Sequence, residues 1–243
     1  MVERNASPRK KRIGILVFDG FEPIDVWGFV QAFSIARFIG TGYSQDTNCP
    51  FEVLLIANET RRGGGSGVPA PVKSWNGPRV APDMFRDDAL QQPFDVIMIP
   101  GGQGVSDMLD SGDAEDREAL FAWVRAMDSR VAIISSVCTG AAVLAASGVL
   151  DGVAATSNHA VFGWVTGFGP RVLWNNVSRW VDAGHHVTSA GVSAGTDMGF
   201  HLVSRLAGRA VAETAVKSAE YDWHRDPEQP IQYPQQAAVP SSR

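Results

Sequence analysis

The sequence predicts a single α/β domain, a doubly wound layer sandwich around a mostly parallel sheet. Three observations predict it. Short β-branched apolar runs alternate with longer amphipathic ones, the βαβ rhythm of such sheets. The run Val131–Ile134 passes through Ser136-Val-Cys-Thr-Gly140 into Gly140–Ala146 with no linker, the strand–turn–helix of a nucleophile elbow. No composition shift divides the 243 residues, a length that buries a sizeable core without staples.

In chain order, residues 1–11 form a basic flexible tail and Ile13–Phe18 a first buried strand, closed by Asp19-Gly20. Pro23 can open the amphipathic run Val26–Ile39, because its missing amide costs nothing in a first turn. Asp25 falls in that turn, just past the carboxyl end of the strand. Open parallel sheets place their sites there, so Asp25 and Cys138 can face one crevice. The plainer reading is that Glu22 or Asp25 satisfies the helix N-terminus.

Phe51–Ala57 reads as a second strand and Asn58–Pro82 as a surface loop. The glycines of Arg61–Gly67 lack the Lys-Ser/Thr and the following helix of a phosphate cradle. Asp95–Pro100 is a third strand. It runs into Gly101-Gly102-Gln-Gly104, whose amides can point into the crevice as anion-stabilising donors. Ala114–Met127 is a helix, and the elbow follows. Beyond it come Ala154–His159, a helix-like stretch and Val172–Val177. Arg179–Thr188 is a hairpin turning at Ala183-Gly184. Neighbouring strand residues face opposite ways, so the adjacent His185 and His186 are not expected to hold a metal. Helices over Ala194–Leu206 and Ala210–Ala219 complete a domain spanning 12–227, and 228–243 is a polar Pro/Gln/Ser tail.

Composition narrows the function. A net charge of −5 and a pI near 5.5 argue against a nucleic-acid surface. No apolar run reaches membrane-spanning length, and the basic Arg9–Arg12 start is not a secretory signal. Two cysteines without a CxxC suggest neither a disulfide framework nor a zinc site, and a reducing, cytoplasmic compartment fits. Cys49, in a polar loop before Pro50, reads as inert filler. Cys138 differs: at the elbow the helix dipole and unpaired amides favour thiolate.

Four segments together carry a family resemblance: Val17-Phe-Asp-Gly-Phe-Glu-Pro-Ile-Asp25, Ile99-Pro-Gly-Gly102, Ser136-Val-Cys-Thr-Gly140 and Gly191-Val-Ser-Ala-Gly-Thr-Asp197. The chain resembles the ThiJ/PfpI superfamily, a flavodoxin-like α/β group related to class I glutamine amidotransferases. Within it the Cys-Thr pair, Asp25 and the terminal Glu220-Tyr-Asp look like the isonitrile (isocyanide) hydratase branch. The resemblance implies a homodimer without cofactor or metal. It also implies Cys138 as nucleophile, Asp25 as its carboxylate partner and Thr139 as a site residue. Gly101, Gly102, Asn158 and His159 would contribute to oxyanion or substrate binding. Branches that use a Cys–His pair have histidine where this chain has Asn158, with His159 one step later. A glutamine amidotransferase would need a later His-x-Glu, and a regulator a DNA-binding extension; neither is present.

The resulting expectation is a lyase that hydrates a small-molecule isocyanide to an N-formamide. The alternatives are a redox sensor with an oxidisable Cys138, or a glyoxalase or hydrolase working through His159. Trp27, Phe162 and Trp164 are candidate apolar walls, set against ordinary core packing.

Overall fold

The computed structural model describes residues 9–42, 46–61 and 67–229; both expected tails lie largely outside these, as does most of the glycine-rich 61–67 stretch. The elements, in order, are β1 (Lys11–Val17), α1 (Pro23–Ser34), β2 (Phe51–Ala57), β3 (Val72–Lys73), β4 (Arg79–Val80), β5 (Met84–Phe85) and α2 (Arg86–Ala89). Then come β6 (Val96–Ile99), α3 (Gln103–Ser106), a π turn at Asp107–Ser111, α4 (Ala114–Asp128), β7 (Ile133–Val137) and α5 (Gly140–Ala146). The chain closes with β8 (Ala154–Ala155), α6 (Phe162–Thr166), β9 (Leu173–Trp174), β10 (Trp180–Asp182), β11 (His186–Ser189), α7 (Ser193–Ala207) and α8 (Arg209–Ser218).

The main sheet has the order β10-β11-β7-β6-β1-β2-β5, and β10 alone runs antiparallel to its neighbour. Helices α1, α7 and α8 pack together as one layer, and α4, α5 and α6 as another. This is the flavodoxin-like, doubly wound arrangement, whose central strands are apolar on both faces because helices cover both. All four residues of β6 are buried. From β1 the chain builds outward in both directions, which opens a crevice between the carboxyl ends of β1 and β6. Register then sets the ends of four strands along that rim. Ile15 lies beside Met98, Ile99 beside Ser136 and Val137 beside Ser189.

Several boundaries differ from the sequence reading. The elbow strand runs over Ile133–Val137, not Val131–Ile134. Val131 lies in the turn that follows α4, donating its amide to the Met127 carbonyl. Ser135 and Ser136 sit inside the strand, and the Ser135 hydroxyl is satisfied by the Ile97 carbonyl at 3.0 Å. Helix α1 stops at Ser34, five residues short of Ile39, although its apolar pattern continues. The 58–82 stretch holds the small β3–β4 hairpin. Asp113 caps α4 with its carboxylate on the Glu115 and Asp116 amides.

Candidate active site

Cys138 carries a positive φ of 57° between β7 and α5, the strained backbone of an elbow. The turn is held from three sides. The Cys138 amide donates to the carbonyls of Ser189 (3.2 Å) and Ala190 (3.3 Å), and the Ser157 hydroxyl donates to the Cys138 carbonyl at 2.8 Å. Gly140 sits so close to the Ile99 carbonyl that a Cβ would come within 2.2 Å, so no larger residue fits. Only 5% of Cys138 is exposed.

Asn158 Nδ2 donates to the sulfur at 3.1 Å, and the amides of Thr139 and Val192 also approach it. These donors favour thiolate, as the helix N-terminus does. Burial outweighs them, and with the negative charge of Asp25 it pushes the thiol up to about 12. The elbow therefore presents a neutral thiol at pH 7 rather than the standing thiolate its sequence suggests.

Asp25 is fully buried, and neither its side chain nor that of Glu22, the N-cap residue of α1, makes a capping hydrogen bond. Pro23 already removes one unpaired donor from the first turn of α1. The carboxyl instead accepts the Gly101 amide at Oδ2 (2.8 Å), while Oδ1 has no hydrogen-bond partner. Burial, opposed by the Gly101 bond and reinforced by Glu22, raises Asp25 to about 8. At neutral pH it holds its proton. The carboxyl titrates before the thiol, so Asp25 burdens Cys138, not the reverse.

Gly101 joins the two groups. A Cβ there would lie 2.6 Å from the Thr139 amide and 2.8 Å from the Cys138 Cβ. The glycine amides are not open oxyanion donors: that of Gly101 holds Asp25, and that of Gly102 donates to Thr139 Oγ1 at 3.1 Å. With that oxygen's acceptor side occupied, the Thr139 hydroxyl proton is left to point elsewhere.

A cavity of about 370 Å³ opens above the sulfur, lined by Glu22, Gly102, Cys138, Thr139, Asn158 and Trp164, with Val161 and Val192. Trp164 is thus a wall, while Phe162 packs between His159 and Trp174, and Trp27 lies 42% exposed on α1. His159 is not brought into the cavity. It contacts the Ser178 backbone, its Nε2 is buried without a partner, and burial lowers its pKa.

Among the lining residues that the sequence does not single out, along with Val161, two matter most for the chemistry. Glu22 reads from the sequence only as a helix-end charge, yet it lines the cavity. Val192 has φ 35° and ψ −77°, a strained conformation for a β-branched residue, and turns its amide to the sulfur. Only its place after Gly191 could have hinted at this.

The DJ-1/PfpI family model matches residues 11–205. An isonitrile hydratase of Pseudomonas putida is 31% identical over 151 residues, 62% of this chain, and the match spans only 61% of that protein's length. A glutathione-independent glyoxalase of Caenorhabditis elegans, DJR-1.2, is 27% identical over 172 residues, 68% of this chain and 87% of its own. A ThiJ/PfpI family crystal structure from Pseudomonas syringae superposes with a TM-score of 0.70 at 26% identity, covering 97% of this chain and 82% of the other.

Proposed function

From the premise that the chain belongs to the DJ-1/PfpI family, we propose that it hydrates a small isocyanide to an N-formamide, with Cys138 as nucleophile and Asp25 as proton carrier. The observation that carries this reading is the protonated, otherwise unpartnered carboxyl of Asp25 backing onto the elbow, where the sulfur has an amide neighbour, Asn158, and no imidazole. The similarity to an isonitrile hydratase supports it.

The isocyanide R–NC enters the apolar cavity with its terminal carbon toward Cys138. Sulfur bonds to that carbon as one proton passes from the thiol–carboxyl pair to it, giving the thioimidate R–N=CH–S–Cys138. Asp25 is the relay: it gives its proton to carbon and takes the thiol's. Water then adds to the C=N bond as Asp25 gives its proton to nitrogen and takes one from the water, giving R–NH–CH(OH)–S–Cys138. Collapse breaks the C–S bond, releases R–NH–CHO and returns the proton to sulfur. Thr139 and Asn158 donate to the species bound at the elbow. No cofactor is required by these steps.

The test is an isocyanide panel with formamide detected by mass spectrometry. Cys138→Ala should abolish turnover, and full activity in that variant would end the proposal. A redox-sensing role predicts two added oxygens on Cys138 under mild peroxide, but a thiol pushed to about 12 is slow to oxidise. A glyoxalase or hydrolase working through His159 lacks an imidazole facing the sulfur.

The active unit is proposed to be a cytoplasmic homodimer. Ile24 and Trp27, three residues apart on α1, are 46% and 42% exposed, and Trp75, bonded through its amide to the Phe21 carbonyl, is 44% exposed. Sedimentation equilibrium should give a dimer that Trp27→Asp converts to monomer; a monomeric wild type would overturn this part.

A further inference from the structure

At the opposite end of β7 and β11 from Cys138, three chemistry-bearing side chains meet. His186 lies beside Ile134 at the start of β11, His185 immediately precedes it, and Asp128 is the last residue of α4. Strand alternation was expected to separate the histidines. It fails because His185 lies just before β11, at the end of the turn; its carbonyl still accepts the Ile134 amide at 3.0 Å, but its ring lies on the same side as that of His186. Their centroids are 4.6 Å apart, and both Nε2 atoms lie 2.9 Å from the same oxygen, Asp128 Oδ1.

The hydrogen positions make this cluster unusual. His185 Nδ1 is 3.1 Å from the Ala132 carbonyl, which can only accept, so Nδ1 carries a proton. In a neutral ring, Nε2 then aims a lone pair at a carboxylate oxygen. His186 directs its own Nε2 at that oxygen. A cation shared among the three atoms, an extra proton or a metal, satisfies all of them at once. A carbonyl holding the far nitrogen of an imidazole is the usual support for a metal-bound histidine. Asp128 needs a positive partner for a second reason, since it stands at the negative end of a 15-residue helix. The nearby Arg125 is turned away onto Glu118 and the Ser147 carbonyl.

We infer that Asp128, His185 and His186 bind one divalent transition-metal cation of the zinc class, joining the end of α4 to the β10–β11 turn. Among the described residues this is the one cluster whose ligand atoms all lie within 4.8 Å of one another. Two imidazole nitrogens and one carboxylate oxygen suit zinc or its softer neighbours better than calcium or magnesium. The side chains of His185, His186 and Asp128 are 36%, 14% and 25% exposed, which gives a cation a path in and leaves water the fourth position. The site is separate from the chemistry at Cys138 and would act as a clasp.

The test is equilibrium dialysis of the purified full chain against micromolar zinc, with cobalt substitution read by its visible d–d absorption. Wild type and Cys138→Ala should each take up one equivalent, which removes the thiol as the ligand. His186→Ala and Asp128→Asn should weaken uptake by at least about a hundredfold and lose the cobalt band. His185→Ala, a change at a partly exposed residue, guards against loss of fold and should do the same. His201→Ala, at the separate Asp182 pair, should change nothing. Absence of stoichiometric uptake by the wild type would overturn the inference, as would uptake indifferent to all three ligand changes.

Discussion

Asp25 and Asp197 are both fully buried, and they illustrate two ways of keeping a carboxyl inside a protein. Asp197 is saturated. It pairs with Arg179, accepts the Tyr221 hydroxyl at 3.0 Å and the His224 amide at 3.1 Å, and so ties the 221–224 segment to α7. Its charge also helps to raise the Tyr221 phenol well above its ordinary value, after burial. Asp25 has one amide, no cation and one bare oxygen. Burial alone therefore does not mark a functional acid. What separates the two is whether the ionised form has been given partners: Asp197 serves structure as an anion, and Asp25 is held neutral with a proton to give.

Removing each carboxyl should move stability in opposite directions. Asp197→Ala leaves the Arg179 guanidinium buried and unpaired, and should cost about 3–5 kcal/mol in urea unfolding. A loss under about 1 kcal/mol would mean that Arg179 finds water, and the contrast between the two sites would fail. Asp25→Asn should instead stabilise the fold at neutral pH by roughly 1–3 kcal/mol, because a carboxyl that must stay protonated is replaced by a neutral isostere. The same variant should lose formamide production by at least about a hundredfold.

Linkage fixes the pH window. The folded chain binds the Asp25 proton up to about 8, against 3.8 for an ordinary aspartate. Between those values the folded state holds the Asp25 proton and the unfolded one does not, so the contribution of Asp25 to stability is greatest below 3.8 and declines as pH rises toward about 8. In Asp25→Asn that slope should flatten. Wild-type turnover should fall above about pH 8 as the acid ionises. Turnover still rising there would show that the carboxyl is not the proton source.

The same contrast explains what could be read from the sequence. Strand β2 was legible to the residue, Phe51–Ala57, because the unbroken apolar run Val53–Ala57, with Phe51 ahead of the exposed Glu52 and Asn58 behind it, has little else to become. Cys138 was legible because strand, small residues and helix follow without a break. The strand itself was placed two residues early at its start, since Ser135 and Ser136 look like a turn until the Ile97 carbonyl is seen to satisfy one of them. The protonation states were not legible. They depend on which amide reaches Asp25 and on how little water reaches Cys138, and both are tertiary facts. Val192 was hidden because nothing in a valine announces a positive φ.

Thr139 provides the smallest test and the finest one. Its Oγ1 accepts the Gly102 amide at 3.1 Å, so the hydroxyl does two things: it fixes the β6 turn, and it keeps a proton for the cavity. Thr139→Val removes both, while Thr139→Ser keeps both and leaves out only the methyl. If the hydroxyl stabilises the species bound at the elbow, valine should lower kcat by about tenfold, the scale of one hydrogen bond of about 1.4 kcal/mol, and serine should restore most of it. If it only braces the turn, valine should lower stability and raise KM with kcat unchanged. The kcat–KM split decides between them, because only a bond made to the reacting group in the transition state acts on the chemical step.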